Sequence, residues 1–435
     1  MSGAADGRIT LRQFWTDLPR EGRWLLSTVT LHLIGRGLTL PFTVIYLAEV
    51  RGFSLATAGA VMAFMAVVAA ALTGAAGALI DALGARAVII GGTVVQIAGV
   101  VTLAFATTPA AAFLAAALMG VNYAAGWPAI NAFIAAIVTG PMRQQYFGVN
   151  FALINLGIGI GGIVSGLYVD VERAETFTTI FLLDAASLLI PLALMLGPLR
   201  HVHARAPRPE PDREASAQTG PGSAYLLILR RPAMLWLTVI TFLTTFVGYG
   251  QMEAGFPAFA RQGSQVSTAV IGYAFAVNTA TIVLLQFAVL RLIQGHRRTR
   301  VLIGLCLLWS IAWAILGATA LVPATLSAAI GVLLFHLAFG LGETMLHPTI
   351  PATVNDLAPD HLRGRYNAAN SLAFHLGAIV APVVAGLMLG AQLTLTFIAF
   401  LLIVLGIVAA LTRVLERHLT PEQNGVLGHV GAPPG

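Results

Sequence analysis

The sequence predicts an all-α integral membrane protein, with twelve transmembrane helices in two pseudo-symmetric six-helix bundles. Three observations predict it. Twelve long apolar stretches run between residues 24 and 414. Apolar residues make up 57% of the chain and charged residues 10%, against about 25% charged in soluble domains. The second six stretches also repeat the first six. At one offset of 220 residues, seven identities recur: Gly120/Gly340, Pro128/Pro348, Arg143/Arg363, Tyr146/Tyr366, Asn150/Asn370, Gly157/Gly377 and Gly166/Gly386.

A spanning helix needs about 20 apolar residues, and backbone groups in lipid must bond within their own segment. The stretches are therefore read as helices over 24–48, 55–80, 87–107, 109–138, 146–169 and 176–198, then 234–258, 267–293, 301–321, 324–350, 367–390 and 392–414. The 45 glycines fit this setting, because small residues let helices approach closely in lipid. Residues 24–198 form the first bundle and 234–414 the second. Residues 199–233 are the linker, centred on APRPEPDREASAQTGPGS, whose proline, charge and small residues predict no fold. Residues 1–23 and 415–435 are terminal segments, and the stretch from Thr420 is expected to have no fold. The remaining loops are short and leave no room for a soluble enzymatic domain.

All 24 basic residues are arginine and the net charge is +6. The absence of lysine reads as the coding bias of a GC-rich genome. The arginine distribution argues against nucleic-acid binding. With the amino terminus inside, 20 arginines fall on the inner side; Arg51, Arg173 and Arg261 face out, and Arg36 lies within a helix. This positive-inside bias places both termini in the cytoplasm, and the protein in the cytoplasmic (inner) membrane of a bacterium. No cleavable signal peptide is visible, so the first helix is read as an uncleaved anchor. The one cysteine, Cys306, excludes an internal disulfide. No phosphate-binding loop is present, so no direct drive by ATP is expected.

Ionisable residues inside apolar helices each cost about 2.5–3.5 kcal/mol to insert and so mark function. The first helix carries His32 and Arg36 on one face, continued by Thr39 and Thr43. The fourth offers Tyr123, Trp127 and Asn131, and the seventh Tyr249 and Glu253. The tenth carries His336, Glu343 and His347, whose spacings of seven and four place them on nearly one line. Asp184 lies inside the sixth helix. Spacing between histidines of different helices is not that of a metal centre, and no cofactor is expected.

Between the second and third helices stands GALIDALGAR, Gly77 to Arg86. It resembles the loop signature of the major facilitator superfamily, G-x-L-x-D-R-x-G-R followed by Arg or Lys. Gly77, Leu79, Asp81, Gly84 and Arg86 match, while Ala82 and Ala85 stand where basic residues are usual. The resemblance implies a cytoplasmic gate of Gly77, Asp81, Gly84, Arg86 and Arg143, in which Asp81 meets Arg143 and the start of the eleventh helix. The fifth helix, with Gly161-Gly162-Ile163-Val164-Ser165-Gly166, resembles the family's antiporter signature but lacks its proline; the second-half counterpart reads Ala381-Pro382 with Gly386 following.

In this family helices 1, 4, 7 and 10 line the substrate cavity, and the polar stripes fall on those four. The resemblance therefore implies alternating access in a cleft between the bundles. An acid on the tenth helix is similar to the arrangement in several bacterial multidrug/proton antiporters. Two roles stand open for Glu343: proton carrier, or ion partner of Arg36. Burial favours the neutral form of a carboxyl, which suits the first role. Asp184 is open between coupling and a buried hydrogen-bonded acid; Glu253 is assigned to the outer vestibule or to a cationic substrate. The function expected is proton-coupled efflux of hydrophobic small molecules or drugs by a monomer. The alternatives are a proton symporter importing a nutrient or organic anion, and more remotely a receptor without transport.

Overall fold

The structure is a computed structural model and describes residues 11–138, 141–202, 230–293, 295–359 and 363–426. Twelve of its helical segments are long and apolar enough to cross a membrane, and the described residues contain no strand. Both ends of the described chain lie on one face, here the terminal face; the opposite one is the far face.

Eight spans are single helices: Leu55–Leu83, Ala85–Ala104, Pro109–Ile137, Pro141–Tyr168, Thr268–Ile293, Arg298–Thr319, Leu326–Leu357 and Thr394–Glu416. The eleventh span, Arg363–Gly390, is also continuous and keeps Pro382 inside it. Three spans are broken, which periodicity did not reveal. The first runs Arg20–Thr39, then resumes as Thr43–Ile45 and a π-helical turn, Tyr46–Val50. The sixth divides at Leu188 into Ala174–Ser187 and Leu189–Leu196. The seventh divides twice, into Pro232–Val247, Tyr249–Glu253 and Gly255–Gln262.

The first break of the seventh span sits at Gly248, with φ −102° and ψ −103°, a conformation glycine accepts most readily. A break frees a carbonyl that must find a partner in lipid. The Trp313 indole donates to the Val247 carbonyl at 3.1 Å and closes that account. Trp309 lies beside it, stacked on Phe339 at 4.6 Å with its indole donating to the Phe339 carbonyl at 3.0 Å. The ninth span thus holds the bend of the seventh.

The duplication read from the sequence is geometric. A Cβ on Gly157 would meet the Thr30 carbonyl at 2.6 Å, and one on its counterpart Gly377 would meet the Phe242 carbonyl at 2.7 Å. Each bundle therefore packs its fifth-type helix on its first-type helix at the same glycine. Between the bundles the far face is closed by two matching crossings. Gly272 packs on Gly162 and Gly166, and Gly59 packs on Pro382 and Gly386. At the terminal face, a Cβ on Gly77 or Gly148 would meet nothing within 4 Å. The ion pairs there stay within one bundle: Glu21 with His201, Glu416 with Arg297, and Asp356 with Arg298. Among the described residues the cleft between the bundles is accordingly open toward the termini and shut at the far face.

One terminal segment carries a helix, and the other differs from expectation. Residues Leu11–Asp17 form a helix, with Phe14 and Leu18 buried against Leu25, Tyr146 and Leu199. The tail from Thr420 was expected to have no fold, yet residues up to Val426 are ordered against the ninth span. The Asn424 side chain accepts from the Thr299 amide at 3.0 Å, and its carbonyl accepts from the Arg298 amide at 2.8 Å. A helix start leaves four amides unsatisfied, and the tail satisfies two of them. Composition cannot show such a backbone dock. Residues 427–435 and most of the linker lie outside the described residues.

Candidate functional site

The site is built where the broken first and seventh spans face each other. Arg36 comes from the last turn before the break of the first span, and Glu253 from the short middle piece of the seventh. Arg36 Nη2 lies 3.6 Å from Glu253 Oε1, joining the two bundles at mid-depth. Ion pairing with Arg36 is one of the two roles the sequence leaves open for Glu343. Arg36 pairs with Glu253 and not with Glu343, and Glu253 reaches the centre of the cleft because the seventh span bends at Gly248 and Ala254.

Asp184 completes the charge cluster. It is buried, accepts from Thr39 Oγ1 at 2.8 Å, and lies within electrostatic reach of Arg36. Gly35 makes this possible: its bare Cα lets Ser187 and Asp184 of the sixth span press onto the first. Ser187 Oγ then donates to the His32 carbonyl at 3.0 Å. Tyr123 stands within reach of both Arg36 and Glu253. The cluster holds one arginine and two acids.

Glu343 belongs to a second group, inside the carboxy-terminal bundle. Asn278 Nδ2 donates to its Oε2 at 3.3 Å, and the Tyr249 hydroxyl stands beside the same carboxyl. Three spans, the seventh, eighth and tenth, thus converge on one acid. Tyr249 and Glu253, four residues apart, connect the two groups. Both line a cavity of about 40 Å³ together with Tyr123, Met62, Met65 and Phe374. Met62 and Met65 also line the adjoining space beside Arg36. Thioether chains adapt to varied apolar shapes, and the aromatic faces tolerate a cation.

The other expected residues fall elsewhere. His32 and Trp127 line a separate cavity of about 320 Å³ inside the amino-terminal bundle. Asn131 is half-buried on the fourth span. His336 is packed among Phe256, Phe275 and Phe335, at 4.2 to 5.1 Å between ring centroids. The side chains of Asp81, Arg143 and His347 lie outside the described residues. Of the rest of the expected gate, Gly84 ends the second span at φ +88°, which only glycine adopts without strain. Arg86 Nε donates to the Met195 carbonyl at 2.8 Å, tying the third span to the sixth. Among the described residues, no cluster of three or more His, Cys, Asp or Glu could hold a metal.

One element escaped the sequence reading. On the far face, Arg261 holds Glu49 in a two-armed pair, Nη2 to Oε2 at 2.7 Å and Nε to Oε1 at 2.9 Å. The two residues are 212 positions apart, and the same shift carries Thr30 to Phe242 and Leu33 to Thr245 in the glycine contacts. Glu49 and Arg261 are therefore counterparts in the two repeats, and their pair sits on the pseudo-two-fold axis. Comparison of the halves at the first-to-seventh offset, in place of 220, was the signal that finds it.

The sequence profile of the Major Facilitator Superfamily matches residues 25–339 and 265–431. An uncharacterised MFS-type transporter of Escherichia coli K12, YdeE, is 24% identical over 378 residues, 86% of this chain and 89% of that protein. A Na(+), Li(+), K(+)/H(+) antiporter of Planococcus maritimus is 25% identical over 300 residues, 64% of this chain and 67% of that protein. The nucleoside transporter NupG shares the fold with a TM-score of 0.71 at 15% identity, covering 92% of this chain and 99% of that one. A peptide transporter POT in complex with sulfate does so at 0.70 and 16%, covering 95% and 100%. With the duplicated twelve-helix fold, the cleft between its halves and a profile match along nearly the whole length, the chain belongs to the major facilitator superfamily and is a membrane transporter.

Proposed function

We propose that the protein exports hydrophobic, cation-tolerant small molecules in exchange for protons, by alternating access of the cleft. The single observation that carries this reading is the set of two acids to one arginine in the central cluster, with Glu343 held beside Tyr249 and Asn278. Arg36 is already paired with Glu253 and lies within electrostatic reach of Asp184, so an anionic substrate finds no spare cation here. That disfavours import of an organic anion. Methionines and aromatic rings around Glu253 supply an apolar, cation-tolerant surface.

In this reading Glu343 carries the proton. Loss of its proton leaves a charge in an apolar bundle, which only Tyr249 and Asn278 offset. That favours the conformation in which water reaches it. The Arg36–Glu253 pair links the halves until a cationic substrate competes for Glu253. The arginine asymmetry places the terminal face in the cytoplasm, so the open cleft takes substrate from the cytoplasm.

A second reading is exchange of monovalent metal cations for protons. The Planococcus maritimus relative favours it, as does the oxygen-rich set of Glu343, Asn278 and Tyr249. Energised inverted vesicles separate the two. Ethidium added to vesicles carrying the protein should release protons from the lumen, seen as acridine-orange dequenching. A response to Na(+) or K(+) and none to a panel of organic cations would replace the first reading by the second. Acidification of the lumen on adding substrate would reverse the direction of coupling.

A further inference from the structure

We infer that the amino-terminal bundle holds a second ligand site, for a neutral aromatic or aliphatic molecule bearing hydrogen-bonding groups. The cavity of about 320 Å³ is walled only by residues of the first, third, fourth, fifth and sixth spans. No residue of the carboxy-terminal bundle reaches it. It is therefore distinct from the cleft site of Arg36, Tyr123, Glu253 and Glu343, and it does not depend on the transport reading.

Its chemistry is specific. Most of the wall is aliphatic, including Leu33, Ile130 and Ile154. Set into that wall are Thr93, Tyr146 and Asn150, which are 7%, 1% and 8% exposed. None of their side-chain polar atoms hydrogen-bonds the protein among the described residues. Three such groups aimed into one cavity make a recognition surface for a hydrogen-bonding guest. Among the described residues no charged side chain lines the space, so a charged guest would lie there uncompensated and a neutral one is selected.

The internal repeat shows that the site is an asymmetry of this half. Asn370, the counterpart of Asn150, accepts from Thr241 Oγ1 at 2.7 Å, a bridge that ties the seventh span to the eleventh. The position equivalent to Thr241 in the first span, by the shift of 212 that relates Glu49 to Arg261, is Val29. Valine has no hydroxyl, so Asn150 keeps its amide for the cavity, and Val29 itself lines it. The two halves differ in one oxygen atom at this point, and the amino-terminal half gains a polar anchor for a guest.

The test uses benzophenone-4-carboxamide, a neutral aryl ketone with an amide, as photolabel on the full chain in lipid nanodiscs. Adducts are mapped by peptide mass spectrometry. Label is expected on the walls near Leu33, Ile130 and Met195, and unlabelled benzamide should compete it away. Asn150→Leu and Val29→Thr should each weaken labelling about fivefold, the loss of one neutral hydrogen bond. Glu253→Gln, in the cleft, should leave it unchanged. Val29→Thr keeps the volume and adds the bridge seen in the other half, so it tests the site where Asn150→Leu fails to fold. Adducts at Met62 or Phe374, or labelling indifferent to both substitutions, as for a lipid chain filling an apolar gap, would overturn the assignment.

Discussion

Arg36 of the first span and Glu253 of the seventh meet at 3.6 Å across the two bundles, each one contributed by a helix that is broken beside it. The breaks matter to the pairing. A continuous seventh helix would carry Glu253 along its axis toward the far face, and only the bend at Gly248 turns it back to the arginine. Asp184 lies within electrostatic reach of Arg36, so removal of Glu253 does not leave the arginine without a nearby acid. Glu253→Gln is therefore expected to spare folding and to lower ethidium efflux about tenfold, as for the loss of one charge-assisted contact to substrate. Efflux from cells expressing the variant, normalised to protein in the membrane, checks this; wild-type efflux would remove Glu253 from the substrate path.

The far-face pair of Glu49 and Arg261 predicts a shift in conformation. Loss of the pair by Glu49→Gln should favour opening there by about 1–2 kcal/mol, a factor of roughly 5–30 in population. Ala258→Cys on a Cys306→Ala background reports it, because Ala258 lies in the gap below the pair. A membrane-impermeant maleimide applied to the far face should label it faster by that factor. Exchange of the two charges, Glu49→Arg with Arg261→Glu, should restore slow labelling, because the residues are symmetry counterparts. Equal labelling rates in all three proteins would mean that the pair does not hold the face closed.

The glycine crossings carry a contrast between positions. Gly59→Leu and Gly272→Leu drive a side chain into the backbone of Pro382 and Gly162, and both should abolish transport. Gly77→Ala and Gly148→Ala meet open space in this conformation, and should keep at least half of the wild-type rate if the terminal face closes loosely. A purified Gly272→Leu protein that transports normally would show that closure at the far face is not needed.

The docked tail gives a stability prediction. Asn424→Ala removes the acceptor of the Thr299 amide and hydroxyl, which should cost about 2 kcal/mol. Melting in detergent should fall by a few degrees, with transport retained in the cold. An unchanged melting curve would mean the tail adds nothing to the ninth span.

Much of this architecture was legible because lipid leaves few options. An apolar run of sufficient length must be a helix, and seven identities at one offset make the duplication visible. The polar stripes on the first, fourth, seventh and tenth helices also led to Arg36, Tyr123, Tyr249, Glu253 and Glu343, which the fold gathers around one cleft. What could not be read is how the side chains pair. The sequence leaves ion pairing with Arg36 open for Glu343, whereas in the structure Glu253, beyond the break at Gly248, takes that place. His32 shares a face with Arg36 in sequence, yet the sixth span packs against that face and the space beyond it becomes a separate cavity. Asn278 is one polar residue in an apolar helix, and nothing local marks it as the partner of a glutamate on another span.

Glu343 is where the proposed coupling is tested most directly. Purified wild-type and Glu343→Gln proteins are reconstituted in liposomes, and ethidium movement is followed with and without an imposed proton gradient. The Gln side chain keeps the volume beside Tyr249 but carries no exchangeable charge. The variant is expected to exchange labelled for unlabelled substrate at a rate near wild type, and to build no substrate gradient from a proton gradient. A Glu343→Gln protein that still concentrates substrate against its gradient when protons flow would contradict the assignment of Glu343 as the proton carrier.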